Sequence, residues 1–108
     1  MPSFRNQTTG SLTTNGQSLS LAYREFFNGG IGVQVTGTWT GTLEFRMTID
    51  GTNSVAVIAT DVTSGTQATT TTANGVFKFD VVGALAVSVA STAAMTGTAT
   101  VTLVALPG

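Results

Sequence analysis

Residues 31–50 read IGVQVTGTWTGTLEFRMTID. In an extended chain Ile31, Val33, Val35 and Trp39 share one face, and Gln34, Thr36 and Thr38 share the other. After Gly41, Leu43, Phe45, Met47 and Ile49 point one way, while Thr42, Glu44, Arg46 and Thr48 point the other. Successive side chains leave a pleated backbone on opposite sides, so a period of two marks a strand with one buried face. Branched Val, Ile and Thr suit that pleated surface. The stretch therefore predicts two half-buried strands with Thr-rich outer faces.

The same pattern extends outward. Phe77, Phe79 and Val81 oppose Lys78 and Asp80 over 76–82; Leu85, Val87 and Val89 oppose Ala86 and Ser88. Near the C-terminus Ala99, Val101, Leu103 and Ala105 oppose Thr98, Thr100 and Thr102. Weaker strands are expected over Thr8–Thr13, Ser18–Tyr23 and Ser54–Asp61, with Thr66–Thr72 either an edge strand or a loop. Asn15-Gly16, Asn28-Gly29, Asp50-Gly51 and Asn74-Gly75 read as tight turns, because glycine supplies the positive φ that hairpin turns demand. Pro2 and Pro107 lie outside every strand interior, as a sheet requires. The one rival to strand is 81–95, where Gly83 and the branched residues argue against a helix. The expectation is one all-β domain over 1–108: a two-sheet antiparallel β-sandwich of jelly-roll or Greek-key type, with about eight strands. Residues 1–9 form a polar N-terminal segment suited to act as an arm.

Composition narrows the chemistry. Only 8% of the residues are charged, against about 25% in a typical globular chain. A free monomer normally keeps itself soluble with charge, so this chain is expected either to rely on hydroxyls and amides or to cover much of its surface with partners. The net charge is −1, and Arg5, Arg24, Arg46 and Lys78 are scattered, which disfavours nucleic acid and anionic lipid as partners. No apolar run is long enough to span a bilayer. The chain has no cysteine and no histidine, which removes disulfides, thiolates, and the commonest general base and metal ligand.

The remaining ionisable groups make a poor catalytic inventory. Glu44 and Asp80 sit on outer faces, each a same-face neighbour two residues from a basic residue, Arg46 and Lys78, and cross-strand ion pairing accounts for them. Asp50-Gly51-Thr52-Asn53 lacks the alternating acids of a calcium loop and reads as a turn with an Asx hydrogen bond. The serines have no basic partner, and 28–32 lacks the lysine of a phosphate loop. No catalytic residue, cofactor or metal site is expected. The candidate functional residues are instead contact residues: Tyr23, Phe26 and Phe27, with Phe4 and Arg5 in the N-terminal segment. Phe26 and Phe27 cannot both face inward from an extended strand; either one meets a partner subunit, or a bulge tucks both inside.

The order VQVTGTWTGT (33–42), DGTN (50–53), NGVF (74–77) and TGTATVTL (96–103) resembles small β-sandwich structural proteins of tailed bacteriophages, including head decoration (cement) proteins and related adaptor or fibre modules. The likeness covers about 17–105. It implies a virion protein on the capsid surface, assembled in the host cytoplasm, with the major capsid protein and copies of itself, as a homotrimer, for partners. A tail-fibre or glycan-binding module and a head–tail connector are the alternatives within the same resemblance. Similar proteins carry arginines and an aromatic on the strand after the glycine matching Gly83. Here 85–90 holds no charge, which implies an apolar contact there.

Overall fold

The computed structural model describes residues 6–22, 30–48, 50, 52–80 and 86–105. They form strands and turns with no helix. The strands are β1 (Asn6–Leu12), β2 (Ser18–Ala22), β3 (Gly30–Thr36), β4 (Trp39–Thr40), β5 (Leu43–Thr48), β6 (Ser54–Ala56) and β7 (Ala59–Asp61). There follow β8 (Gln67–Ala68), β9 (Thr70–Thr71), β10 (Gly75–Asp80), β11 (Ala86–Ser91), β12 (Thr96–Gly97) and β13 (Ala99–Ala105).

One sheet has the order β1-β13-β3-β10-β7-β8; the other runs β2-β11-β5-β6, with β9 also on β5. With β4, β7, β8, β9 and β12 set aside, β1-β13-β3-β10 faces β2-β11-β5-β6, which is the strand order of a jelly roll. Every pairing in both sheets is antiparallel.

The inward faces are those expected from the alternation. Ile31, Val33, Val35, Leu43, Phe45, Phe77, Phe79, Val87, Val89, Ala99, Val101 and Leu103 are buried, joined by Leu12, Leu21 and Ala59. The Phe45 ring, from the β2–β6 sheet, lies 5.1 Å from that of Phe77 and 6.1 Å from that of Phe79, both from the opposite sheet. These tilted contacts are the favoured aromatic geometry, and they stitch the two layers together at the centre. Trp39 packs half-buried against this core. Its Nε1–H donates to Asn74 Oδ1 at 2.6 Å, and Asn74 Nδ2 donates to the Gly37 carbonyl at 2.8 Å.

Three expectations need correction. The strand expected over Ser54–Asp61 is two strands in different sheets: β6 pairs with β5, then β7 pairs with β10. At the crossing Val57 packs inward, its N–H donating to the Phe45 carbonyl at 2.8 Å, and Ile58 stays exposed. Thr66–Thr72 divides in the same way, β8 joining β7 and β9 joining β5. Gly75 is no turn residue but the first residue of β10. Gly16 does take a positive φ, of 88°, as expected for Asn15-Gly16, while Gly29 and Gly51 lie outside the described residues. The described residues form thirteen strands; eight of them, β1, β2, β3, β5, β6, β10, β11 and β13, make the two jelly-roll sheets, and the rest are pieces of two or three residues.

The β1–β2 turn is anchored by a buried serine. Ser91 Oγ donates to the Thr14 carbonyl at 2.6 Å and accepts from the Gln17 N–H at 3.0 Å. The Ser91 backbone adds two bonds, its carbonyl accepting from Gly16 N–H at 3.0 Å and its N–H donating to the Gln17 carbonyl at 2.9 Å. Ser91 is the buried polar residue among those described, at 3% exposure, and its hydroxyl joins the Thr14 carbonyl and the Gln17 N–H in part-buried bonds. Ser91→Ala is expected to lower stability by about 1–3 kcal/mol, read as a lower urea midpoint at unchanged slope. An unchanged midpoint would mean that water replaces the hydroxyl.

Candidate interaction surface

The register of the strands sets out the two outer faces. On the larger sheet Thr9, Thr102, Gln34 and Val76 form one row across β1, β13, β3 and β10. Val62 continues it, its N–H donating to the Val76 carbonyl at 2.9 Å. The next row is Gln7, Val104, Gly32, Lys78, Thr60 and Gln67. Thr9 and Thr102 join their hydroxyls at 3.1 Å. This face is broad and built of short neutral side chains around Lys78.

The smaller sheet presents Ser20, Ser88, Arg46 and Ala56 in one row and Ala86, Thr48 and Ser54 in the next. Arg46 forms an ion pair with Glu44, two residues away on the same strand face. It also reaches β6, its Nε donating to Ser54 Oγ at 2.9 Å and its NH2 to the Ser54 carbonyl at 2.7 Å. The pair is thereby neutralised within β5, rather than across strands as expected.

Asp50 closes the β5–β6 connection as an Asx turn. Its Oδ1 accepts from the N–H groups of Thr52 and Asn53, both at 2.8 Å, and its Oδ2 accepts from Asn53 Nδ2 at 3.0 Å. Those donors favour the ionised form and hold the carboxyl well below the usual carboxylate range. Every bond is spent on shaping the turn, in keeping with the turn reading of DGTN. Asp61 does the same for the next turn, its Oδ1 accepting from Thr63 N–H at 2.9 Å. Among the described residues no three acidic side chains gather as a metal site would need.

Two depressions lined by described residues are small. One of about 210 Å³ lies between the sheets, floored by Phe45 and Phe77 and rimmed by Asp61, Thr66 and Thr70. Another, of about 200 Å³, lies over Ser20, Thr48, Ser54 and Ser88. Small-molecule sites usually enclose roughly 300–1,000 Å³, so neither has the size of one. What the surface does offer is exposed aliphatic area: Val55 is 59% exposed, Ile58 61%, Val62 53% and Val76 44%. Sequence reasoning did not single these residues out. The signal was present in Val57-Ile58, the same adjacent-hydrophobe conflict that marked Phe26-Phe27.

Phe4, Arg5, Tyr23, Phe26 and Phe27 all lie outside the described residues. Their described neighbours share one end of the sandwich. Asn6 opens β1 opposite Ala105, and Ala105 lies opposite Ile31 at the start of β3. Ala22 closes β2 opposite Ala86, and the 13–17 turn joins β1 and β2 at the other end. Sequence segments far apart thus attach at a common end of the molecule.

No protein-family model matches this sequence, and no curated protein matches it. Solved structures do. The chain is similar to the SPBc2 prophage-derived protein YomS, with a TM-score of 0.80 and 16% identity over 98% of this chain and 97% of that one. It is similar to the PBSX exported protein XepA, with a TM-score of 0.75 and 18% identity over 94% of this chain. The match spans 38% of XepA. A more distant likeness, with a TM-score of 0.50 and 10% identity, is to the Yersinia pseudotuberculosis-derived mitogen. At such identities the likeness establishes a shared β-sandwich fold, and two of the proteins that have it come from prophages.

Proposed function

We propose that this chain is a phage-derived structural protein that works by contact with other protein subunits, and specifically that it is a capsid decoration protein. The observation that carries the reading is the character of its surface. Among the described residues two broad sheet faces are nearly free of charge, the Glu44–Arg46 pair is neutralised internally, and large aliphatics stand exposed beside them. A surface of that kind gains from being covered. The fold shared with YomS over nearly the full length of both chains supports a phage origin. The motifs of 33–42 and 96–103, which resemble phage β-sandwich structural proteins, support a virion role.

The mechanism is added interface. A contact of standard size buries about 1,600 Å². A protein that binds only the assembled lattice shifts the equilibrium toward the intact shell. Self-association, part of the same reading, multiplies the effect through effective concentration. The protein acts without catalysis or cofactor, on the virion surface, with the major capsid protein as its partner.

The test is co-sedimentation of the purified protein with empty heads of the phage that encodes it. Saturable binding to heads, none to unassembled capsid subunits, and a higher temperature of head disruption are expected. Attachment to tails in place of heads would refute the decoration role while keeping the structural one. Association with neither would refute both.

A further inference from the structure

We propose that β1 is the seam of a two-fold homodimer, in which β1 pairs antiparallel with β1 of a second copy, centred on Thr9. The inference rests on a contrast between the two flanks of the sandwich. On one flank the terminal strands are β8, of two residues, and β6, of three. Neighbouring β7 and β9 are just as brief, and the chain switches sheets between them. Short, broken strands are a standard way to stop a sheet edge from recruiting another chain.

The other flank carries no such protection. β1 is seven residues long and pairs with β13 at every position from Asn6↔Ala105 to Leu12↔Ala99, without a bulge. It contains no charge and no proline. Among the described residues nothing pairs with its second edge. That edge leaves a full row of backbone donors and acceptors facing outward. β2 lies directly behind it, where a Cβ on Gly10 would stand 2.8 Å from Leu19 Cδ1. β2 is also the terminal strand of its sheet and is equally free of charge. Among the described residues, both layers of the sandwich therefore end unpaired on the same side.

A second copy is the occupant that fits. An antiparallel strand presents to its own two-fold mate the row of groups it lacks. Centring on Thr9 is the register that overlaps all seven residues: Asn6 faces Leu12, Gln7 faces Ser11, and Thr8 faces Gly10. It also keeps inward residues opposite inward residues, as a continuous sheet requires. The exposed side chains brought together are Gln7, Thr9 and Ser11, so no like charges meet. Two-fold pairing forms even-numbered assemblies, unlike the trimer that the sequence resemblance implies. The inference stands apart from the decoration role, since shell binding can succeed or fail with either assembly.

The test uses light scattering on the full chain and two charge variants. The wild type is expected to reach dimer mass with rising concentration. Gln7→Lys combined with Ser11→Lys sets like charges opposite each other twice across the seam, and should raise the dissociation constant about tenfold or more. Gln7→Lys with Ser11→Glu sets opposite charges there, and should restore dimerisation to within about threefold of wild type. Both positions are exposed, so the fold should survive, with far-ultraviolet circular dichroism as the check. Amide exchange on the unmodified chain supplies an independent measurement, with β1 amides gaining protection as the dimer forms. A wild-type trimer, or a monomer persisting at about 1 mM where even weak association shows, would overturn the proposal. So would a Lys/Glu variant as dissociated as the Lys/Lys one, or β1 amides that exchange equally at all concentrations.

Discussion

Phe45→Ala is expected to destabilise the domain by about 3–5 kcal/mol, the usual range for deleting a buried aromatic. Phe45 is 1% exposed and is the largest of the fully buried side chains. It alone among the described aromatics touches two rings of the opposite sheet, Phe77 and Phe79. Its loss removes about 1.5–3 kcal/mol of apolar burial and leaves a cavity where the layers meet. Strand backbones pinned by hydrogen bonds on both sides cannot close that cavity, so the cavity contribution remains. β5 lies between β11 and β6, which holds it in this way. The measurement is equilibrium urea unfolding, with Val55→Ala as the comparison, since Val55 is 59% exposed and should change stability by less than about 0.5 kcal/mol. Comparable losses from the two substitutions would show that the sheets are not joined through Phe45.

Gly97→Ala is expected to cost about 2–4 kcal/mol, from backbone strain together with a lost hydrogen bond. The site is a kink shared by two strands. β3 pairs with β13 up to Thr36↔Thr100, and β4 pairs with β12 as Trp39↔Gly97 and Thr40↔Thr96. Three residues onward from Thr36 and three back from Thr100 meet again, so the register is unchanged across the break. At this break Gly37, between the ladders, and Gly97, at the end of β12, take φ of 103° and 75°, and each lies against a carbonyl of the facing segment, Thr98 and Thr38 respectively. A Cβ on Gly97 collides with the Thr38 carbonyl oxygen, which accepts from Thr98 N–H at 3.0 Å. Backbone, not a flexible side-chain tip, has to move. Gly65, also at positive φ but with open space around it, is the control: Gly65→Ala should cost only the conformational strain, about 1–2 kcal/mol. Equal losses at the two glycines would remove the close approach as the cause.

The inward faces were legible because the information is local. Ile31, Val33 and Val35 alternate with Gly32, Gln34 and Thr36, and the period alone assigns their sides. The Asx turn at Asp50 was legible for the same reason, since a carboxylate reaches the N–H groups two and three residues ahead of it without help from the rest of the fold. The Glu44–Arg46 pair follows from residues two apart on one strand face. Gly75 misled because Asn-Gly is a turn signal only where the chain reverses. Here Asn74 is held by Trp39 and Gly37, far back in the sequence, and the strand simply begins. The exposed aliphatics Ile58, Val62 and Val76 were not legible as a group, since Val62 and Val76 meet only through pairing across the larger sheet.

The amino-acid order by itself determined that the chain forms strands, which side of each strand is apolar, and that the surface is poor in charge. Each follows from covalent neighbours and the two-residue repeat of the extended backbone. Only the tertiary structure decided which strands pair, where segments cross between sheets, how Gly37 and Gly97 come to face each other's strands, and that β1 ends a sheet while β8 and β6 are cut short. Those features depend on contacts between residues tens of positions apart, such as Ser91 with Thr14. Backbone hydrogen bonding is the same for every strand, so local chemistry cannot choose among partners; packing of all the apolar faces at once does.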